Sequence, residues 1–387
     1  MSIIPSPYPI IYAFGDSLSD TGEAYLLTTS SYAAALGQPS DPVSPPYFHE
    51  TYGATGANVF SNGPVWVQLL AQSLGDATPA PGEIGVRADT LGNVLAGQGL
   101  STASAALFVT GLEVAQHASG PDPYLQIVAG APGGTDFAIG GSVTGVTYEN
   151  GSAAVPVTDL AAQLGNFKAS VATPVAAALY TVWSGTNDLL TLLQDPSFAA
   201  LTAAGGVATD IAASVANEVA AVTNLVADGA QSVLVLNVPD LGKMPALAQQ
   251  GTAVASVASS LAATFNRELA SALRSTNFGV AHVMLEDTFG IIDTAVARPA
   301  RYGLTNGTDP VYTGGLTQEN GTLASSNHGV QDHYLFFDHV HPTEAGHSAI
   351  AQGAEAVLAR VYFAGTATPP FPTAFQPWSH YFSKTFT

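Results

Sequence analysis

The residues able to do chemistry in this 387-residue chain stand more than 300 positions apart. Ser17 lies in YAFGDSLSDTG (12–22), just after Gly15 and Asp16 and ahead of Asp20. A serine hydroxyl is a poor nucleophile until a base takes its proton. FFDHVHPTEAGH (336–347) supplies a base and a group to orient it. His341 can accept the serine proton and return it to a leaving group, while Asp338 holds the other ring nitrogen and steadies the imidazolium. A spacing of three residues on one loop can present both side chains on the same side. The oxyanion of acyl transfer also needs two or three fixed donors. Three are available: the backbone N–H of Ser17, that of Gly141 or Gly140, and the side-chain amide of Asn187.

Each of these residues also has a plainer reading. Ser17 can be a turn residue, and Asn187 can cap a helix starting near Leu189. Asp16 and Asp20 read as carboxylates that structure the loop. His339, His341 and His347, together with Asp338 and Glu344, invite a metal-site reading. No H-E-x-x-H pattern is present, and a metal would leave the serine, glycine and asparagine segments unexplained. No metal or other cofactor is therefore expected. Trp183 and Tyr180 read as core residues.

These residues need elements to position them. Continuous apolar runs at 9–15, 136–140, 178–185, 232–238 and 280–285 read as strands of a parallel sheet covered on both faces. Helical stretches at 63–74, 157–171, 207–228, 252–275 and 343–361 alternate with them, which argues for an α/β sheet. In such sheets ligands bind beyond the carboxyl ends of the strands, where Ser17, Gly141 and Asn187 all fall. Residues 1–363 read as one domain. Residues 76–135 look like an insertion and 299–335 like loop. The aromatic, proline-rich stretch 364–387 is expected to strap back onto the body.

Composition narrows the function classes. Net charge is −20 with only 9 Lys plus Arg, which disfavours nucleic acid and anionic membrane surfaces as partners. Cysteine is absent, so disulfides and thiolate chemistry are excluded. No apolar run reaches the roughly 18 residues of a membrane span. The opening MSIIPSPYPIIYAFGD lacks the basic region and apolar stretch of a secretory signal. The acidic, lysine-poor composition leads us to expect a secreted or periplasmic protein whose signal has been removed, with a cytoplasmic one as the alternative. Charge favours solubility without fixing an oligomeric state.

Four ordered segments, FGDSLSDTG (14–22), FAIGGSVT (137–144), WSGTND (183–188) and FFDHVHPTEAGH (336–347), resemble the SGNH, or GDSL-type, hydrolase superfamily. FSNGPVWVQLLA (60–71), LNVPDLGKMPA (236–246), FNRELASAL (265–273) and PARYGLTN (299–306) are similar to its lipase/esterase-like branch. The resemblance implies a flavodoxin-like three-layer α/β/α sandwich with a central, mostly parallel five-stranded sheet. It implies Ser17, Asp338 and His341 as the triad, Ser17, Gly141 and Asn187 as the oxyanion hole, and hydrolysis of esters. Glu23 departs from the pattern, in which asparagine often follows DTG. The G-x-S-x-G elbow of α/β-hydrolases is absent.

The leading expectation is a serine carboxylic-ester hydrolase. Its partner would be a small-molecule, lipid or carbohydrate ester, with short- or medium-chain acyl or acetyl groups favoured over phospholipids because the segments expected to wall the pocket, PSDPVSPPYF (39–48), 76–135 and 299–335, carry few basic residues. An acyltransferase using the same acyl-enzyme, and a non-catalytic binding module on the same fold, are the alternatives.

Overall fold

The computed structural model describes residues 8–28, 51–52, 55–56, 59–87, 124–128, 133–145, 159–171, 173–314, 321–362 and 385–386. Its centre is a parallel sheet of β1 (Ile11–Gly15), β2 (Leu179–Trp183), β3 (Ser232–Leu236) and β4 (His282–Glu286), which lie side by side in chain order. Ile11 pairs with Leu179, Leu179 with Ser232 and Ser232 with His282, so the strands start almost level. Their carboxyl ends consequently form one edge.

Both faces of the sheet are covered, which explains why the strands read as unbroken apolar runs. Side chains alternate between the two faces. Tyr12, Phe14, Tyr180, Val182, Val233, Val235, Val283 and Leu285 pack in one core with the helices α3 (Leu160–Ser170), α5 (Gly206–Ala227) and α6 (Thr252–Ser275). Ile11, Ala13, Leu179, Trp183, Leu234, Leu236 and Met284 pack in another with α2 (Trp66–Leu74) and α8 (Glu344–Tyr362). The result is a three-layer α/β/α sandwich. Burying each large apolar side chain here contributes about 1.5–3 kcal/mol. The polar atoms of the largest residues are also satisfied. Trp66 Nε1 donates to Ser19 Oγ, Trp183 Nε1 to the Asn237 carbonyl, and Tyr180 Oη to the Val175 carbonyl.

Two expectations need correction. The run at 136–140 is not a regular strand. It lies extended beside β1, with Ala13 N–H donating to the Thr135 carbonyl and Phe137 N–H to the Ala13 carbonyl, but only Asp136 bridges to Ala13. The fifth strand is instead β7 (Thr385–Phe386), which pairs antiparallel with Met284 and Val283 of β4. Second, 299–335 is more than loop. It holds a 3-10 turn at Pro299–Tyr302, β5 (Asn306–Pro310) and a helical turn at His328–Gln331, and runs on into β6 (Tyr334–Phe336), which pairs parallel with β5. In the proposed insertion, Ile84–Arg87 pairs antiparallel with Tyr124–Val128. The 39–48 loop, residues 88–123 and 129–132 of the insertion, residues 315–320, and nearly all of the tail (363–384) lie outside the described residues.

Two helices adjoin the carboxyl edge: α4 (Thr186–Gln194) directly follows β2, and α7 (Thr288–Ala297) follows β4. The helix α1 (Glu23–Thr28) follows the turn after β1.

Candidate functional site

Chain geometry forces a sharp turn where β1 ends. Gly15 has φ +150, and a Cβ there would sit 2.1 Å from the Trp183 carbonyl oxygen of the neighbouring strand. Gln163 of α3 satisfies both backbone groups of Gly15, accepting from its N–H and donating to its carbonyl, each at 2.8 Å. Ser17 follows immediately, 8% exposed.

The turn is held by its own carboxylates. Asp16 Oδ1 accepts the Leu18 N–H. Asp20 accepts the N–H groups of Gly22, Glu23 and Ala24, and that of Gly140 at 2.7 Å, which ties the serine turn to the glycine loop. Asp136 accepts the Thr21 N–H at 2.6 Å. Burial pushes Asp16 up to about 7 and Asp20 up to about 6, and pushes Glu23 and Asp136 well above the usual range. Asp16 and Asp20 thus act as loop scaffolding.

The Asp338–His341 loop arrives from the far end of the chain, directly after β6. The β5–β6 pair aims it: Tyr312 N–H donates to the Phe337 carbonyl at 2.6 Å, and Phe337 N–H closes the loop onto the His341 carbonyl at 2.8 Å. Asp338 Oδ1 accepts the N–H groups of Val340 and His341, both at 2.6 Å. That leaves Oδ2 for the imidazole. His341 Nδ1 stands 2.7 Å from Asp338 Oδ2, and Nε2 stands 2.8 Å from Ser17 Oγ. Burial would raise the Asp338 carboxyl, but the His341 ring and the two backbone N–H groups outweigh it and hold the carboxyl below its ordinary value. Asp338 therefore stays ionised beside the imidazole.

The donor side is arranged differently. Gly140 has its N–H engaged by Asp20, whereas Gly141, exposed and at φ +81, has no acceptor for its N–H among the described residues. The backbone N–H of Ser17 is likewise without an acceptor among them. Asn187 does not cap a helix starting near Leu189. The helix begins at Thr186, and Asn187 Nδ2 donates to the Ser142 carbonyl at 2.8 Å, which leaves its second amide hydrogen. Asp188 accepts from Thr144 N–H and Oγ1, so α4 and the glycine loop are joined twice.

The remaining histidines do not converge. His339 Nε2 lies 3.2 Å from the Thr313 carbonyl oxygen, and His347 is buried on α8, where burial pushes it down to about 3. Among the described residues no group of three or more His, Asp and Glu is placed to hold a metal ion, and no single helix is long and apolar enough to cross a membrane.

Sequence reasoning missed Phe60 and Gln163. The Phe60 ring stacks on the His341 imidazole, centroids 5.2 Å apart and planes 26° from parallel. FSNG was visible as a segment, but nothing in its spacing says which ring it meets. Gln163, in an alanine-rich helix, gave no signal at all.

A family model described as GDSL-like Lipase/Acylhydrolase matches residues 11–354. A GDSL esterase/lipase of Arabidopsis thaliana is 26% identical over 358 residues, covering 89% of this chain and 86% of that protein. An uncharacterized protein in the trpE–trpG intergenic region of Pseudomonas putida is 29% identical over 250 residues, covering 60% of this chain and 39% of that protein's length.

Proposed function

The chain belongs to the GDSL-like lipase/acylhydrolase family; from that premise we propose that it is an ester hydrolase that cleaves carboxylic esters through an acyl-enzyme on Ser17. The observation that carries this reading is the unbroken line from Ser17 Oγ through both nitrogens of His341 to Asp338 Oδ2, with steps of 2.8 and 2.7 Å. Ser17 Oγ attacks the carbonyl carbon as its proton passes to His341 Nε2. The carbonyl electrons move onto oxygen, where the N–H groups of Ser17 and Gly141 and the Asn187 amide receive the charge. The tetrahedral adduct collapses, the C–O bond to the alcohol breaks, and His341 protonates the departing oxygen. Water then attacks the acyl-enzyme with His341 again as base, releasing the acid and restoring Ser17.

The engagement of Gly140 by Asp20 supports Gly141 as the loop donor. Short- or medium-chain acyl esters, or acetyl esters of sugars, are the substrates we propose. An extracellular or periplasmic setting is the one its acidic composition supports, and fractionation of the tagged full-length protein tests it.

Release of nitrophenol from p-nitrophenyl acetate and butyrate tests the reaction, comparing wild type with Ser17→Ala and with a chelator-treated sample. Turnover should vanish in the variant and ignore the chelator. Turnover that survives the substitution would overturn the assignment of Ser17.

A further inference from the structure

The FSNG turn (60–63) meets the His341 loop across more than 270 residues of sequence, and each of its four residues grips a different part of it. Phe60, buried, lays its ring against the imidazole. Ser61 Oγ donates to the Pro342 carbonyl at 2.9 Å, fixing the backbone just after His341. Asn62 Oδ1 accepts the Glu344 N–H at 2.8 Å at the start of α8, while its Nδ2 donates to Gln331 Oε1 and Asp332 Oδ1. Gly63 lies so close that a Cβ would come 2.3 Å from Glu344 Oε2. Asp338 thus holds His341 from the amino-terminal side and the FSNG turn holds it from the carboxyl-terminal side.

We propose that Phe60 is a positioning residue for ester hydrolysis, its ring face steadying the imidazolium that His341 becomes when it takes the Ser17 proton; the inference rests on the triad reading above. An aromatic face attracts a cation within about 6 Å of its centroid, and more strongly where water is excluded. The 5.2 Å separation and near-parallel planes meet that condition. Among the described residues, the titratable groups that interact with His341 include Asp338 on its own loop, Asp16 on the turn after β1 and His347 on α8. Of these, among the described residues, only Asp338 lies within hydrogen-bonding distance of a ring nitrogen, while Phe60 covers one face of the ring. The Phe60 ring is itself wedged. A Cβ on Gly140 would fall 2.5 Å from two of its ring carbons and 3.2 Å from Ala24 Cβ, so the glycine loop leaves just the space this ring occupies.

The test uses the full-length protein with Phe60 replaced by pentafluorophenylalanine, which keeps the shape of the ring and reverses the polarity of its face, beside Phe60→Leu. Both are read by kcat and KM on p-nitrophenyl butyrate, by the acid limb of the kcat/KM profile, and by Tm. The fluorinated ring should lower kcat by roughly three- to thirty-fold and move the acid limb to lower pH, with KM and Tm unchanged. Phe60→Leu should lower kcat further. Wild-type kcat and acid limb in the fluorinated protein would overturn the proposal. So would a fall in kcat accompanied by lower Tm and an unmoved acid limb, which would mark plain packing. Ser17→Ala run in parallel separates the two readings: if it retains turnover, the triad reading itself has failed, whereas loss there beside an unaffected fluorinated protein removes only the role of Phe60.

Discussion

Ser17, Asp338 and His341 are 8%, 3% and 3% exposed, and their reactive atoms already touch one another. On the other side of the site, Gly141 is exposed, Asn187 is half-buried, and the N–H groups of Ser17 and Gly141 meet no acceptor among the described residues. The difference follows from what each side does in the proposed reaction. A proton relay works only if its members are aligned before substrate arrives, so it is built as a closed set. Oxyanion donors need a free hydrogen until charge develops, so they are held in place through other groups: the Gly140 N–H donates to Asp20 and fixes the glycine loop, and Asn187 donates one amide hydrogen to the Ser142 carbonyl and keeps the other.

That contrast can be broken from either side. The largest effect should come from the relay. Ser17→Ala or His341→Ala should lower kcat by roughly 10⁴- to 10⁶-fold in an ester-hydrolysis assay, with the fold unchanged by circular dichroism. Asp338→Asn should come next, at about 10⁴-fold, because the amide favours the wrong imidazole tautomer. On the donor side, Asn187→Ala should lower kcat by roughly 10²- to 10³-fold with a smaller effect on KM. An equal loss in KM and none in kcat would show that Asn187 serves ground-state binding. Gly140→Ala should cost about tenfold in kcat. Gly140 is not at positive φ, so the loss would come from displacing Phe60 off His341 and not from backbone strain.

The smallest effect sharpens the comparison through stability. Asp16 and Asp20 are raised to about 7 and about 6, so the folded protein keeps protons that the unfolded chain releases above the ordinary value of 3.8. Their contribution to stability falls as pH rises from near 3.8 to about 7. Asp338 is lowered, so its contribution is present above 3.8 and is lost as pH falls below it. The melting temperature should therefore be higher at about pH 5 than at about pH 7.5, and Asp16→Asn should flatten that slope. Buried His347, pushed down to about 3, works in the opposite direction below its ordinary value of 6.5, so a melting temperature that still climbs steadily toward neutral pH in His347→Asn would show the buried carboxylates ionised in the folded state.

Much of this was legible in the residues. Four of the five apolar runs became the parallel strands because burial on both faces leaves an unbroken apolar signature. The fifth, 136–140, carries the same signature but gives up a regular ladder. Asp136 is committed to the Thr21 and Ala138 N–H groups, and the chain turns away at Gly140 and Gly141. β5, Asn-Gly-Thr-Asp-Pro, has the composition of a turn, and only its pairing with β6 makes it a strand. Ser17, Asp338 and His341 were legible as candidates because FGDSLSDTG and FFDHVHPTEAGH set a hydroxyl, a carboxylate and an imidazole at short, fixed spacings from strand ends. Phe60 and Gln163 did not, because stacking and backbone satisfaction are tertiary facts with no local spacing to betray them.

The central claim is that Ser17 is the nucleophile and His341 its base. Wild type, Ser17→Ala and His341→Ala should each be incubated with a fluorophosphonate ester and read by intact mass and peptide mapping. The account predicts one phosphonyl adduct on Ser17 in wild type, none in Ser17→Ala, and far slower labelling in His341→Ala. An adduct on another residue, or labelling of Ser17 at full rate without the imidazole, would contradict it.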